Sequence, residues 1–574
     1  MWAVLLLAAI SFDLRDAQGR RHALDEARES RAVALFFLAP DCPLSVRYGP
    51  EIRRLHGEFA ARGVVFYAVG AEDRYPFPAL IDPEHTLARQ VGTRVTPSAA
   101  VLSPAGELLY RGRIDDRVVS FGQVRAEPRQ RDLRLVLGRL VEGKAVRFSE
   151  TPAIGCDIAP PRGEPRTDVT YTRDVAPILY RHCAECHRPE DVGPFPLLTY
   201  EDARRRASVM AQVVTQRYMP PWKPRPGYRK FQGERGLTAA EIETIRRWSE
   251  GGAPEGNPAD LPSLPRFPEG WRLGPPDRVA RMEKPLAVAA EGEDIYQCFV
   301  IPLGLDRDRY VRAIEFRPGN RRLVHHALLF ADPAGVARRK GVTYPCFGAP
   351  GFLPARGLGG WTPGMPPLVL PAGAELTVAK GSDLVLQLHF HPTGRIEQEQ
   401  SAVGLYFTDT PPVKRLLDVP LGSNRIDIQP GERAYKVRDH FTLPVDVEAV
   451  GIIPHAHYIC KDMKGMAVLP DGTKKWLLWI PDWDFNWQDQ YRYETPVRLP
   501  AGARLEMEFT YDNSSENPRN PNQPPRRVVW GPESTDEMAG LHVQVIPERR
   551  EDLEELTQAL WGKMMRTLGG RVGP

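Results

Sequence analysis

The sequence predicts a multidomain protein of three fold classes: an α/β domain, a small all-α domain and two all-β sandwiches. Three observations predict it. Residues 11–150 alternate continuous apolar runs with amphipathic helical stretches. A Cys-x-x-Cys-His motif at 183–187 closes a helical segment. Beyond a Pro-rich stretch at 256–275 the apolar pattern changes to period two and keeps it.

The bulk numbers set the frame. A chain of 574 residues can bury three to five separate cores. The 49 glycines and 57 prolines favour many turns and an extensive β region over helical bundles. A net charge of +3, without a dense Lys/Arg block, excludes a nucleic-acid surface. Residues 1–10, MWAVLLLAAI, are expected to be a signal remnant, a buried strand being the other reading. No later run reaches the ~18–20 apolar residues of a membrane span. No transmembrane segment is therefore expected, and the location expected is periplasmic or secreted.

Residues 11–160 form the expected α/β domain. SFDLRD reads as a strand, and AVALFFLA and VVFYAVGAE as strands buried on both faces. PEIRRLHGEFAARG between them carries Ile52, Leu55, Phe59 and Ala60 at helical spacing. SAAVLSPAGELLYRGRI reads as two strands joined by a Pro-Ala-Gly turn, and LRLVLGRLVEG as a closing helix. The join AVALFFLAPDCPLS resembles the thioredoxin-fold redoxins. In that family a reactive cysteine follows the first long core strand and opens a helix, where the helix dipole favours its thiolate. Val95-Thr96-Pro97 resembles the family's cis-proline loop. The resemblance makes Cys42 a candidate redox thiol, but the motif is Cys42-Pro-Leu-Ser45, and Ser45 cannot resolve a mixed disulfide. Cys156, in TPAIGCDI, is a candidate partner. The alternative is a redoxin kept for docking, with Cys42 simply buried.

Residues 165–255 form the expected helical domain. Asp174 to His182 and DARRRASVMAQVV read as helices. Cys183-Ala-Glu-Cys186-His187 is a c-type haem attachment motif, with two thiols for the vinyl groups and His187 as proximal iron ligand. The YTRDVAPIL lead-in and the MPPW at 219–222 resemble small cytochrome c domains. The resemblance implies one haem c per chain with Met219 as distal ligand, and Met210 remains the alternative.

After the linker 256–275, strand candidates fill 276–415 and 416–560, and 561–574 reads as a tail. IYQCFVIPL, YVRAIEFRP, LVHHALLFAD, DLVLQLHFHP and AVGLYFTDT belong to the first sandwich. VEAVGIIPHAHYI, KKWLLWI, ARLEMEFTYDN and LHVQVIPE belong to the second. Histidines concentrate on these strands. His455 and His457 alternate and so share a face, as do His389 and His391. The adjacent His325 and His326 can reach one ion only if the strand bulges between them. Imidazole suits copper, and the thioether of Met538 favours Cu(I).

Residues 276–560 resemble the copper type II, ascorbate-dependent monooxygenases, the family of peptidylglycine α-hydroxylating monooxygenase and dopamine β-monooxygenase. The resemblance rests on H-H at 325–326, Q-x-H at 387–389, H-x-H at 455–457 and D-E-M at 536–538, in family order. It implies two jelly-roll-like sandwiches and two coppers per chain. His325, His326 and His389 would hold an electron-transfer copper, with His391 as a possible substitute for His389. His455, His457 and Met538 would hold the catalytic copper. The family hydroxylates a substrate C–H bond with dioxygen and two electrons. Fused to redoxin and cytochrome segments, such a unit implies electrons supplied through the haem from a periplasmic donor or an ascorbate-like reductant. The residues that hold a peptide's C-terminal carboxylate in relatives are replaced here by Ile453, Gly540 and His542. The substrate, a small molecule or a peptide, is therefore not expected to be a C-terminal glycine. The resemblance also permits a Cys298–Cys346 bridge and leaves Cys460 as a thiol near copper. Two other functions stay open: a non-enzymatic electron-transfer or copper-handling protein, and a thiol oxidoreductase acting through the redoxin.

Overall fold

The computed structural model describes residues 9–40, 42–70, 75–125, 127–158, 166–189, 191–267, 270–290, 295–346, 350–352, 356–390 and 396–569. Residues 1–8 and His391 lie outside the described residues. The chain divides into two compact units. One comprises Met1–Pro189, Gly193–Met219 and Leu237–Pro265; the other comprises Glu190–Val192, Pro220–Gly236 and Arg266–Pro574.

The first unit is built on a seven-stranded mixed sheet. Its order is Arg21–Ala23, Asp13–Asp16, Ala79–Ile81, Val64–Val69, Ala32–Phe37, Ser98–Leu102, Leu108–Gly112. Ala32–Phe37 is parallel to Val64–Val69 and antiparallel to Ser98–Leu102. All six of its residues are buried, which is why it reads as unbroken apolar sequence. Strand parity divides its side chains. Ala32, Ala34 and Phe36 pack with Ile52, Leu55 and Phe59 of helix Gly49–Phe59 and with Leu133, Val136 and Leu137 of helix Asp132–Val141. Val33, Leu35 and Phe37 pack with Leu87, Ala88 and Val91 on the other face.

Helices Ala176–His182, Tyr200–Arg205, Ala207–Thr215 and Ala239–Glu250 complete this unit. Thr199 and Thr238 each form a capping box, with Asp202 and Glu241. The stretch expected as one helix through DARRRASVMAQVV is two. The break at Arg206 lets that buried side chain turn inward, its guanidinium 5.0 Å from the centre of the Phe195 ring.

The second unit contains two antiparallel sandwiches. In the first, Arg278–Arg281, Ala402–Thr408, Arg309–Arg317 and Leu368–Val369 form one sheet, with Leu376–Val378 also pairing to Arg309–Arg317. Thr343–Pro345, Ile295–Pro302, Asp383–Phe390, Val324–Asp332 and Arg356–Trp361 form the other. Ile314, Val403 and Leu405 from one sheet meet Leu329, Leu386 and Leu388 from the other. In the second sandwich, the sheet Leu417–Gly422, Gly540–Pro547, Val447–His455, Tyr491–Leu499 packs on Tyr435–Thr442, Arg504–Tyr511, Cys460–Val468, Lys474–Ile480.

Two segments depart from the sequence reading. Pro220–Gly236, read with the helical domain, is stitched to the second sandwich. Arg225 N–H donates to the Trp479 carbonyl and Gln232 N–H to the Arg492 carbonyl, each at 2.8 Å, and Phe231 enters the core. Residues 561–569, read as tail, continue a helix that starts at Asp552. No helix among the described residues is long and apolar enough to cross a membrane.

Cys298 and Cys346 form a disulfide across adjacent strands, closing a loop with a sequence separation of 48. Its removal by Cys298→Ser with Cys346→Ser should cost about 2–5 kcal/mol, read as a lower denaturant midpoint for the first sandwich. An unchanged midpoint would contradict the cross-link's structural role.

Candidate functional site

In the first sandwich, strands Val324–Asp332 and Asp383–Phe390 lie side by side. Their register runs Val324 opposite Phe390 and then His326 opposite His389, leaving His325 as the extra residue of a bulge. The bulge breaks alternation where the adjacent histidines require it. His325 Nδ1 lies 3.4 Å from His326 Nδ1, and His389 Nδ1 lies 3.3 Å from His326 Nδ1. One nitrogen from each of the three rings lies within 4.8 Å of the other two. Imidazole–metal bonds of about 2.0–2.1 Å at tetrahedral angles separate neighbouring nitrogens by about 3.3–3.4 Å. The spacing therefore fits three ligands of one transition-metal ion. Tyr296, cross-strand from His389, stacks on it with ring centres 4.2 Å apart and planes 9° from parallel. Gln387, the other named member of the Q-x-H motif, is buried and donates from Nε2 to the Cys346 carbonyl.

In the second sandwich, the H-x-H motif does not lie within one strand as its alternation suggested. The strand ends at His455, and His457 sits in the turn leading to Cys460–Val468. The two rings remain neighbours, 5.3 Å apart and nearly perpendicular. Each is oriented through Nδ1, His455 donating to Gln488 Oε1 at 2.7 Å and His457 to the Asp536 carbonyl at 3.2 Å. That tautomer leaves a lone pair on each Nε2. His457 Nε2 is buried and has no hydrogen-bond partner, a costly arrangement that a metal ion would relieve. Burial, with a lesser contribution from His455, lowers the His457 pKa to about 4, so the ring is neutral at physiological pH. Burial also lowers that of His455.

Glu537 ties Met538 to this turn. Its fully buried carboxylate accepts from the backbone N–H groups of His457 (2.8 Å), Ile459 (2.9 Å) and Met538 (3.1 Å). Burial raises its pKa to about 8, against the opposing pull of those N–H groups. Tyr511 OH donates to the Met538 carbonyl and Trp483 Nε1 to that of His457. The sequence showed Glu537 only as part of a motif. Gln488 and Tyr296 carried no signal, because a ring's hydrogen-bond or stacking partner comes from another strand or loop. Ile453 and His542, two of the substrate-side positions, lie directly opposite each other in the sheet. Cys460 is buried and free, its thiol pushed well above its ordinary pKa by burial.

At the end of helix Ala176–His182, Cys183 and Cys186 are half-buried and unbridged. The N–H groups of Cys186 and His187 both donate to the Cys183 carbonyl, a tight turn that presents all three residues together. His187 Nδ1 donates to the Phe195 carbonyl at 3.0 Å, which fixes the plane of the ring. A side chain at Gly193 would lie 2.7 Å from the Cys186 carbonyl and 2.8 Å from His187 Nδ1, so glycine is needed for this loop to close. Met219 is half-buried beside the core, whereas Met210 is packed inside it on helix Ala207–Thr215.

In the α/β sheet, Cys42 precedes helix Pro43–Arg47, with its Sγ 3.2 Å from the Thr96 carbonyl; the Thr96–Pro97 bond is cis. Burial alone would raise the Cys42 pKa. Hydrogen bonds from the Cys156 thiol and from the Ser45 backbone and hydroxyl outweigh it, and the value falls to about 6. Residues 7–111 match the AhpC/TSA family. They form a thioredoxin-like redoxin domain. Among solved structures, similarity is found to a hypothetical protein of Sinorhizobium meliloti 1021, with 27% identity, 26% of this chain, 91% of that chain and TM-score 0.24. A candidate thiol:disulfide interchange protein DsbE of Chlorobium tepidum gives 21% identity, 18% and 80% coverage and TM-score 0.17. The peroxidoxin BcpB of Mycobacterium tuberculosis gives 22%, 18% and 80%, and 0.17. A search of curated proteins found no match.

Glu537→Ala should strand three buried N–H donors and cost about 3 kcal/mol or more, measured by chemical denaturation. Glu537→Gln keeps an acceptor for His457 and Met538 and should cost less. Equal losses for the two variants would show that volume, not hydrogen bonding, is what Glu537 supplies.

Proposed function

We propose that this chain is an exported copper-dependent monooxygenase that hydroxylates a substrate C–H bond with dioxygen, its electrons supplied through its own haem c. The observation that carries this reading is the meeting of His325, His326 and His389 around one point, where a bulge interrupts the strand. Copper would supply one-electron storage at that set, and dioxygen binding at His455, His457 and Met538.

The protein's own groups do the rest. Gln488 and the Asp536 carbonyl fix the tautomers of His455 and His457. Glu537 holds the Met538 segment against the His457 turn. Tyr296 restrains the plane of His389. Cys183 and Cys186 would hold a haem c through thioethers, with His187 and Met219 as the residues that would bind its iron, and the haem would supply one-electron transfer. Ile453, Gly540 and His542 supply no paired clamp for a terminal carboxylate, which favours a small molecule or another class of peptide as substrate. The Cys298–Cys346 disulfide and the haem motif both suit an oxidising compartment.

Purified protein should contain two coppers and one haem c per chain by elemental and haem analysis. Met538→Ile should retain copper at the three-histidine set and lose at least about a hundredfold in kcat/KM with dioxygen. A zinc-only or metal-free protein would sink the reading. Copper and haem without dioxygen-dependent turnover would favour an electron-transfer or copper-handling role.

A second reading, thiol oxidoreductase through Cys42, is favoured by the redoxin family match and by the depressed Cys42 pKa. The thiolate is the reactive form, so Cys42 should be mostly ionised at neutral pH. Its alkylation, followed by peptide mass spectrometry, should rise to half-maximum at about pH 6. A midpoint near the ordinary thiol value of 9.0 would reject an activated Cys42.

A further inference from the structure

The redoxin domain lacks a second cysteine on the helix that follows Cys42. Ser45 stands there, buried, its hydroxyl accepting from the Ala39 N–H. A resolving thiol must come from elsewhere, and the structure brings one in on a separate strand. Cys156–Asp157 pairs antiparallel with Val95–Thr96, the strand that leads into cis-Pro97, with Cys156 opposite Thr96 and Asp157 opposite Val95. The pairing continues with Ile158 N–H donating to the Arg94 carbonyl at 2.9 Å, and Thr96 Oγ1 donating to the Cys156 carbonyl. This segment follows helix Asp132–Val141 and lies outside residues 7–111.

Its close approach is written into the sequence at one position. A Cβ on residue 155 would lie 2.1 Å from the Thr96 carbonyl oxygen, 2.6 Å from its carbon and 3.2 Å from Pro97 N. Backbone atoms cannot yield as a flexible side chain can, so only Gly155 lets the strand come this close. Cys42 Sγ lies 3.2 Å from the carbonyl oxygen of Thr96, the residue that pairs with Cys156, and Cys156 and Cys42 are almost wholly inaccessible, at 2% and 0% exposure. Cys42 sits at the centre of the redoxin's reactive loop yet faces no solvent. Residues 154–158 are what pairs over the strand beside it.

We propose that residues 154–158 are a tethered strand that covers the reactive edge of the redoxin domain, delivers Cys156 to Cys42 as its resolving thiol, and shields both until it lifts. This rests on the thiol-oxidoreductase reading of Cys42. The oxidant is an external disulfide, RS–SR. With the strand lifted, the Cys42 thiolate attacks one of its sulfurs; the RS–SR bond breaks, a Cys42–SR bond forms, and one RS⁻ leaves and takes a proton. Cys156 gives up its proton to solvent and attacks the Cys42 sulfur. The Cys42–SR bond breaks, the second RS⁻ leaves and is protonated, and a Cys42–Cys156 disulfide remains. Two cysteine thiols are oxidised and one external disulfide is reduced to two thiols. The strand is held by a short ladder and by packing against helix Ala207–Thr215, so its opening releases both while the seven-stranded sheet stays paired.

The test uses the full-length holoprotein with glutathione disulfide as oxidant and iodoacetamide as access probe. Non-reducing peptide mapping of the oxidised wild type should find Cys42 linked to Cys156, with no accumulated glutathione adduct on Cys42. Cys156→Ala should accumulate that adduct. Gly155→Val, and more mildly Gly155→Ala, should raise the alkylation rate of Cys42 about tenfold or more by holding the strand off. A wild type that accumulates the Cys42–glutathione adduct without the internal link would overturn the tethered-strand proposal and leave the thiol reading standing. So would a folded Gly155→Val protein whose Cys42 alkylates no faster. A Cys42 inert to both reagents in wild type and variants alike would overturn both.

Discussion

Alternation along a β-strand is the constraint on which the rest of this protein depends. Neighbouring side chains on a regular strand point to opposite faces, so a sheet cannot by itself gather sequence neighbours around one point. Each candidate site in the β region lies where that regularity is interrupted. The bulge at His325 brings adjacent imidazoles together. The end of the ladder at His455 frees His457 to turn inward, where Glu537 and Asp536 can reach it. The surrounding ladders remain regular and carry the apolar cores. The sandwiches thus provide stiffness, and the interruptions provide the chemistry.

The same rule of hydrogen bonding recurs at unrelated positions. His187, His455 and His457 each direct Nδ1 at a carbonyl oxygen, from Phe195, Gln488 and Asp536 respectively. One hydrogen bond then does two things: it fixes the plane of the ring and it settles which nitrogen keeps its lone pair. At the three-histidine set the arrangement is reversed, and the Nδ1 atoms face one another. The two histidine sets in the β region therefore differ in the nitrogen they present as well as in their ligands.

Much of the architecture was legible because it follows from local periodicity. AVALFFLA announced a strand buried on both faces, and the period-two strands after residue 276 announced the sandwiches. That His325 and His326 could share one ion only through a bulge followed from parity, while their sharing one was implied by the family resemblance. What was not legible depended on contacts distant in sequence. Nothing in PHAHY told that the strand would stop between its histidines, because the stop is enforced by Glu537, eighty residues away from His457. Pro220–Gly236 read as part of a helical domain because its prolines and aromatics specify an extended segment but not the sheet it joins. The helix Asp552–Gly569 was not read at all, residues to 560 being counted with the sandwich and 561–574 as tail, because exposed Trp561 and Met565 break the apolar stripe that marks an amphipathic helix.

The seven cysteines show how far environment, rather than count, decides chemistry. An odd number in an oxidising compartment suggested one left over. The structure sorts them by partner and burial. Cys298 and Cys346 are bridged across neighbouring strands. Cys183 and Cys186 are half-exposed beside His187, where a prosthetic group could reach them. Cys42 and Cys156 lie on either side of Thr96, Cys42 with a lowered pKa and Cys156 with a raised one. Cys460 is the odd one, and it is sealed in the core near Glu537, where burial and that nearby charge both oppose ionisation. A thiol that cannot ionise is neither a good nucleophile nor a ready metal ligand. Its place one residue beyond Ile459 therefore makes Cys460 part of the packing that holds the His457 turn.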